Sequence, residues 1–301
     1  MFPEEKPITS NSEKNTTKLI IFFIIAFIIS WAIWLPNVLA SRGIISIPEW
    51  YSIVSNLGVF GPLISAFIVV LGFEGRKGAY ELLKKGWKVG FNKKWLIPLF
   101  FLPFVISGLA FILSVVTTND TWSAVYQDTS FANTMLTILI MFFLGGPLGE
   151  EYGWRGFALS RLQKKWSAWL SSLILGFIWG VWHLPLHFME NTTQEFIPIW
   201  AGIMIIMVSS FIYTWLYNNT GSSVLVAMLF HWISNAAMIL VPYWQKGDIW
   251  NGLSSTPNYL VPSIGMLIGF LLNLIVIILI IVRGDPFTFQ SKKDSSKISQ
   301  K

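Results

Sequence analysis

Two adjacent carboxylates, Glu150 and Glu151, come at the end of an apolar stretch of residues 132–149, and Arg155 follows in the same segment. An ionised carboxylate near hydrocarbon is costly unless it is paired or hydrated, so acids at such a position predict a functional site. In a helix Glu151 and Arg155 share a face, and an ion pair would keep Glu151 ionised. Glu150 points about 100° away and is free to activate water. Taken alone, the motif is equally consistent with a charged patch beside the membrane.

Histidines in two further apolar segments add groups that can do acid–base chemistry. His183 follows Trp179 by one helical turn, and His231 and Asn235 share a face in a later segment. A histidine beside an amide can stabilise an oxyanion, or can bind a metal with the amide as support. Such residues also form hydrogen bonds between helices, and this structural role is the one we expect for His187. Because all the histidines of the chain lie in apolar segments, the three motifs together favour a hydrolytic site inside a membrane.

Composition sets the class of protein that must position these residues. The chain is 54% hydrophobic and only 12% charged, too few charges for a soluble protein of this length. Each apolar run of suitable length is expected to cross a bilayer as a helix. The predicted fold class is therefore an all-α polytopic membrane protein with about eight transmembrane helices, over residues 19–40, 52–73, 95–116, 132–149, 168–189, 196–217, 222–242 and 260–282.

The distribution of basic residues predicts the orientation. All but Arg42 and Lys246 of the 21 Lys and Arg residues lie before residue 19, after residue 282, or in the connections 74–94 and 150–167, which are alternate connections along the chain. Short cytoplasmic connections are enriched in such residues, so both termini are predicted to be cytoplasmic. The membrane is expected to be the cell (plasma) membrane. The net charge of +6 favours contact with anionic lipid head groups, and no nucleic-acid partner is expected.

The chain divides into one membrane domain with two polar ends. We predict disordered cytoplasmic tails over residues 1–18 and 286–301 and an integral membrane domain over 19–285. Residues 77–94 are predicted either to lie on the cytoplasmic surface as a helix or to form a basic loop. The chain has no cysteine, so any metal would need histidine and carboxylate ligands.

Idealised helices do not bring the three motifs to one depth. Counted from the cytoplasmic edge at about 1.5 Å per residue, His231 lies about 15 Å deep and His183 about 22 Å, whereas the glutamates lie at the edge. Convergence requires either that the fourth helix starts later and continues past Glu150, or that residues 145–147 and Gly153 let it bend. The sequence leaves both alternatives open.

The three motifs, in this order, resemble those of the CPBP family, which includes type II CAAX prenyl proteases and bacteriocin-processing or bacteriocin-immunity (Abi) proteins. The resemblance covers about residues 130–240. The Glu-Glu-x-x-x-Arg motif of the family falls on Glu150, Glu151 and Arg155, its Phe-x-x-x-His motif ends on His183, and its His-x-x-x-Asn motif falls on His231 and Asn235. Trp179 replaces the phenylalanine, a change expected to affect packing and not chemistry.

The resemblance implies an eight-helix intramembrane protease bundle with the site in a cavity open to the cytoplasm. Glu150 and His183 would activate a water, and His231 and Asn235 would stabilise the oxyanion. Glu151 and Arg155 would orient the first carboxylate. Zinc is a second expectation, since Glu150, His183 and His231 would supply a ligand set for it.

The expected function is hydrolysis of a peptide bond in a membrane-anchored, lipidated (CAAX-like) or hydrophobic peptide. A non-proteolytic immunity or scaffold protein could use the same bundle to bind a bacteriocin or a membrane partner. A proton-coupled transporter could use the buried histidines and glutamates as a relay, although no internal repeat of the transporter type is visible.

Overall fold

The computed structural model describes residues 9–118, 130–190, 192–241 and 264–282, and within those ranges every regular element is helical. Among these described residues, seven spans are long and apolar enough to cross a membrane, and the predicted segment 222–242 forms a shorter apolar helix, Val224–Leu240. The predicted all-α membrane class is confirmed. The principal helices of the described residues are α1 Thr9–Ser41, α2 Gly61–Lys85, α3 Leu96–Thr118, α4 Phe131–Leu144, α5 Pro147–Glu151, α6 Ala168–Trp182, α7 Ile199–Asn219, α8 Val224–Leu240 and α9 Ile264–Val282.

Helix α1 begins before its apolar stretch. It starts at Thr9, so the part of the predicted tail 1–18 that the structure describes is helical, which corrects that prediction. A tertiary contact stabilises this polar extension, because Lys18 Nζ lies 2.9 Å from Glu74 Oε1 on α2. The predicted tail 286–301 lies outside the described residues.

A sharp kink divides α2 into a membrane part and a surface part. Gly75 has φ of +67°, a conformation that L side chains rarely adopt, and the chain changes direction there. Beyond the kink, residues 76–85 remain helical and mostly exposed, and residues 88–92 have no helical structure. The predicted surface helix over 77–94 is thus present as far as Lys85 and is a loop for most of the remainder.

The segment that carries the glutamates breaks and then continues. Gly146 has φ of +108°, and Pro147 starts α5 immediately after it, at the position where a missing N–H costs nothing. The helix then passes through π-helical turns, Tyr152–Leu159, and ends at Leu162. The bend predicted at residues 145–147 is therefore present, and the chain also stays helical past Glu150, although the fourth helix starts at Phe131 and not later than predicted. The connection predicted over 150–167 is helical through Leu162.

Helices α6 and α7 pack closely because glycines face the contact. A Cβ built on Gly176 would lie 2.7 Å from the Cα of Met207, and one on Gly180 would lie 2.9 Å from the Cα of Ile203. Small residues commonly allow such close approach between membrane helices. We call the end of the bundle that carries residues 76–95 and 160–167 the basic end, and the end that carries residues 42–50 and 192–198 the opposite end.

The helix α6 ends in the middle of the bundle. The carbonyl of Trp182 accepts a hydrogen bond from Trp31 Nε1 at 3.0 Å, and Trp31 lies about 15 Å along α1 from its end at Ser41. A short 3₁₀ helix, Leu184–Phe188, then leads the chain towards the opposite end. His183, at this junction, is thereby held deep in the protein.

Candidate active site

An ion pair between Glu151 and Arg155 lies inside the bundle. Arg155 Nη1 donates to both carboxylate oxygens of Glu151, at 2.9 and 3.1 Å, and both side chains are fully buried. The ion pair predicted from their spacing is confirmed. Glu151 Oε1 also lies 2.9 Å from Nδ1 of His231 on α8. One carboxylate therefore joins the first and third motifs.

Aromatic rings hold the guanidinium of Arg155 on both sides. Its Cζ atom lies 4.2 Å from the centre of the Trp179 ring and 4.1 Å from that of Tyr213. A guanidinium stacks favourably on such rings. Its Nε and Nη2 atoms are buried without a hydrogen-bond partner among the described residues. Glu151 therefore provides the charge that balances this dry cation.

Two tryptophans fix one oxygen of Glu150. Its Oε2 accepts hydrogen bonds from Trp154 Nε1 at 3.2 Å and from Trp179 Nε1 at 2.6 Å, and the residue is 3% exposed. The other oxygen, Oε1, lies beside Gly146, where a built Cβ would be 2.3 Å from it and 3.1 Å from Cε1 of His231. The carboxylate thus has one anchored oxygen and one that faces the histidine.

The tautomer of His183 follows from its partner. Its Nδ1 lies 2.8 Å from the backbone carbonyl oxygen of Trp179, and a carbonyl can only accept. Nδ1 therefore carries the hydrogen, and Nε2 presents a lone pair. A neutral imidazole held in this way can accept a proton from water.

Asn235 connects α8 to the helix break. Its Nδ2 donates to the carbonyl of Gly145 at 3.2 Å, one of the carbonyls that the break leaves without a helical partner. An amide group has two N–H donors, so the second one is still available for another acceptor. Asn235 therefore both supports the bend and presents a donor.

A cavity of about 210 Å³ adjoins these groups. His187 contributes to it, and its Nδ1 donates to the carbonyl of Ile197 at 3.0 Å, the packing role expected of it. Glu150 lies next to the cavity, because it is hydrogen-bonded to Trp179, which lines it. The remaining lining is mainly apolar and comes from α3, α7, α8, α9 and the segment that precedes α7. The residues of the three motifs that line the cavity are Trp179, His183, His231 and Asn235.

The proposed zinc ligands do not form a metal site in this conformation. Among the described residues, no group of three His, Asp or Glu side chains is close enough to hold one ion. Two candidate donor atoms are also engaged, since Glu150 Oε2 accepts two indole N–H groups and His231 Nδ1 contacts Glu151. The set Glu150, His183 and His231 therefore does not fit zinc here.

The tryptophan that replaces phenylalanine at position 179 contacts a candidate catalytic carboxylate. We expected an effect on packing alone, but the indole N–H of Trp179 makes the shorter of the two hydrogen bonds to Glu150. A phenylalanine has no N–H and could not make it. The contact between Glu151 and His231 was also not anticipated, because it joins residues 80 positions apart. No local spacing signals either contact.

The cavity extends in a direction that the resemblance did not imply. Its lining includes Thr193 and Gln194, which precede α7 at the opposite end of the bundle. The basic end is the one predicted to be cytoplasmic, so the cavity reaches towards the other face. If the basic end is cytoplasmic, this cavity does not extend towards the cytoplasm, and if the cavity opens to the cytoplasm, the basic end faces the other side.

Comparison with known proteins matches the same region. Residues 132–237 match the family model described as type II CAAX prenyl endopeptidase Rce1-like. The chain is also 27% identical over 252 residues to CAAX prenyl protease 2 of Methanococcus maripaludis, covering 79% of this chain and 90% of that protein. The matched segment contains every site residue described above.

Proposed function

We propose that the chain, which is similar to the Rce1-like, type II CAAX prenyl endopeptidases, is a membrane-embedded peptidase that uses Glu150 and His183 to activate water. The observation that carries this proposal is the chain of contacts that joins the three motifs. Glu150 is bonded to Trp179, His183 is bonded to the Trp179 carbonyl, and Glu151 bridges Arg155 and His231. Residues distant in sequence thereby surround one small volume.

In the proposed reaction, water attacks the carbonyl carbon of the scissile peptide bond. Glu150 Oε1 or His183 Nε2 takes the proton of the attacking water. The carbonyl oxygen becomes an oxyanion, the C–N bond breaks, and the proton is delivered to the leaving amine. The anchored Oε2 keeps Glu150 oriented throughout. No step requires a metal.

We assign the oxyanion site to His231 and Asn235. The Nδ1 atom of His231 faces the carboxylate of Glu151, so His231 can donate through Nε2 only when both ring nitrogens carry hydrogen. The Glu151 carboxylate, which is also paired with Arg155, accepts the Nδ1 hydrogen of that ring. Asn235 contributes its second N–H, and both residues line the cavity.

The proposed substrate is a membrane-associated peptide with a lipid or other apolar group close to the scissile bond. The cavity supports this class, because side chains such as Ile205, Ile206 and Met238 line it and would favour an apolar group over a charged one. The name of the methanococcal relative specifies a CAAX prenyl substrate for that protein. We extend the lipidated CAAX-like substrate to this chain as the first one to test.

The test is a peptide panel read by mass spectrometry with the purified, full-length protein. Each prenylated CAAX peptide is paired with the same peptide lacking the lipid and with an apolar membrane-anchored peptide. We expect the prenylated peptide to be cleaved, and we expect the cleavage rate to be the same with and without a chelator. Cleavage confined to the peptide that has neither lipid nor anchor would contradict the substrate class, and cleavage confined to the apolar anchored peptide would contradict the lipidated CAAX-like substrate. Loss of activity in chelator, restored by zinc, would contradict the metal-independent route.

The two alternative functions predict different results with the same peptides. An immunity or scaffold protein would bind a peptide without cleaving it, and its function would survive substitution of Glu150. A transporter would move a solute in response to a proton gradient. Cleavage that depends on Glu150 excludes both as the main function.

A further inference from the structure

A second polar pocket lies at the basic end, away from the cavity described above. It has a volume of about 640 Å³ and lies between the start of α1, the kink of α2 and the end of the glutamate-bearing helix. Four cationic side chains and a single carboxylate line it: Lys18, Lys85, Arg161, Lys164 and Glu74. One carboxylate cannot balance four cations, so the pocket has a net positive charge.

The one carboxylate is already shared. Glu74 Oε1 bonds to Lys18 Nζ at 2.9 Å and to Arg161 Nη2 at 2.5 Å. Lys85 Nζ donates instead to the backbone carbonyl of Gly156 at 2.8 Å, and the exposed side chain of Lys164 has no ion-pair partner among the described residues. Two of the cations are therefore present without any counter-charge in contact with them.

Arg161 is fixed in place and retains an unused donor. It is 9% exposed, its Nη1 donates to the carbonyl of Phe157 at 3.1 Å, and its Cζ lies 3.8 Å from the centre of the Phe157 ring. Its Nε atom is buried without a hydrogen-bond partner among the described residues. A fixed guanidinium with neighbouring ammonium groups is the arrangement that recognises phosphate in proteins.

The position of the pocket indicates the source of the anion. It lies where the apolar part of α2 ends at the Gly75 kink and where the polar first turns of α1 give way to its apolar part. This is the level at which we expect lipid head groups to meet the protein. Basic pockets at this level bind the head groups of anionic lipids. We propose that this pocket binds a phosphate group, supplied by the phosphodiester of an anionic phospholipid.

Native mass spectrometry of the full-length protein in detergent tests this site, with phosphatidylglycerol and phosphatidylcholine as probes. The variant Lys18→Gln/Lys164→Gln removes two pocket charges, and Lys93→Gln/Lys94→Gln removes two exposed charges elsewhere at the basic end. We expect the wild type and the second variant to retain phosphatidylglycerol, and the first variant to bind it about ten-fold or more weakly. Phosphatidylcholine should be retained poorly by all three.

A parallel thermal-unfolding series in inorganic phosphate, against chloride at equal ionic strength, separates the two sources of phosphate. If phosphate alone raises the unfolding temperature of the wild type and the control but not of the pocket variant, the ligand is free phosphate and the site stands. If the three proteins retain phosphatidylglycerol equally and respond equally to phosphate, the proposal is wrong. Equal melting temperatures of the three proteins in chloride would show that folding is unaffected.

Discussion

The indole nitrogen of Trp179 lies 2.6 Å from Oε2 of Glu150, and this bond orients the carboxylate on which the proposed reaction depends. The backbone carbonyl of the same tryptophan accepts the Nδ1 hydrogen of His183, and its ring covers the Arg155 guanidinium. The side chain and the peptide carbonyl of this one residue therefore contact Glu150, His183 and Arg155. Trp179 is thus a positioning residue for the site.

Replacing Trp179 with phenylalanine should remove the bond to Glu150 while keeping an aromatic ring. A hydrogen bond to a charged group contributes about 1.5–3 kcal/mol, so we expect kcat to fall about ten- to one-hundred-fold with little change in KM. The matched control is Trp182→Phe, since the indole nitrogen of Trp182 is buried without a partner among the described residues. Equal losses in the two variants would show that packing, not the hydrogen bond, is responsible.

Replacing Glu151 with glutamine should destabilise the protein as well as inactivate it. The change leaves the guanidinium of Arg155 buried without its counter-charge, which typically costs about 3–5 kcal/mol. Thermal unfolding in detergent measures the effect. Glu81→Gln is the control, because Glu81 forms an exposed pair with Lys84 and should change stability little. A Glu151 variant that melts with the wild type would contradict the buried-pair account.

Replacing Gly146 with alanine should abolish activity by two routes. The backbone φ of +108° disfavours any side chain there, and the new methyl group would meet Glu150 Oε1 at 2.3 Å. Gly108→Ala is the comparison, because a Cβ at Gly108 on α3 meets nothing within 4 Å. The measurement is the cleavage rate of each purified variant. An active Gly146→Ala variant would contradict the conformation assigned to the helix break at Gly146.

The absence of cysteine allows the membrane orientation to be measured with single cysteines. We expect Glu49→Cys, at the opposite end, to react with a membrane-impermeant maleimide in intact cells. Lys164→Cys, at the basic end, should react only after the cells are opened. The reverse pattern would mean that the basic end faces outwards and that the cavity reaches towards the cytoplasm.

The sequence predicted what depends on local spacing. The ion pair between Glu151 and Arg155 follows from helical periodicity, and the apolar runs identified the membrane helices because length and hydropathy determine whether a segment can span. The resemblance also selected the site residues that the structure brings together. These predictions needed no knowledge of how the helices pack.

Tertiary contacts and irregular helices were beyond such reasoning. The contact of Glu151 with His231 and that of Trp179 with Glu150 depend on how separate helices pack. The π-helical turns after Glu151 also have no spacing signature in the residues that form them. The extension of α1 to Thr9 was missed because its residues are polar, and the contact of Lys18 with Glu74 that stabilises it is again tertiary.

The most direct test of the central claim is hydrolysis of a prenylated CAAX peptide in ¹⁸O-labelled water by the wild type and by Glu150→Gln. The account predicts that the new carboxyl group of the wild-type product carries oxygen from the labelled water. It also predicts that the glutamine variant inserts into membranes and melts normally but yields no product. Cleavage by Glu150→Gln at the wild-type rate would contradict the assignment of Glu150 as the residue that activates water.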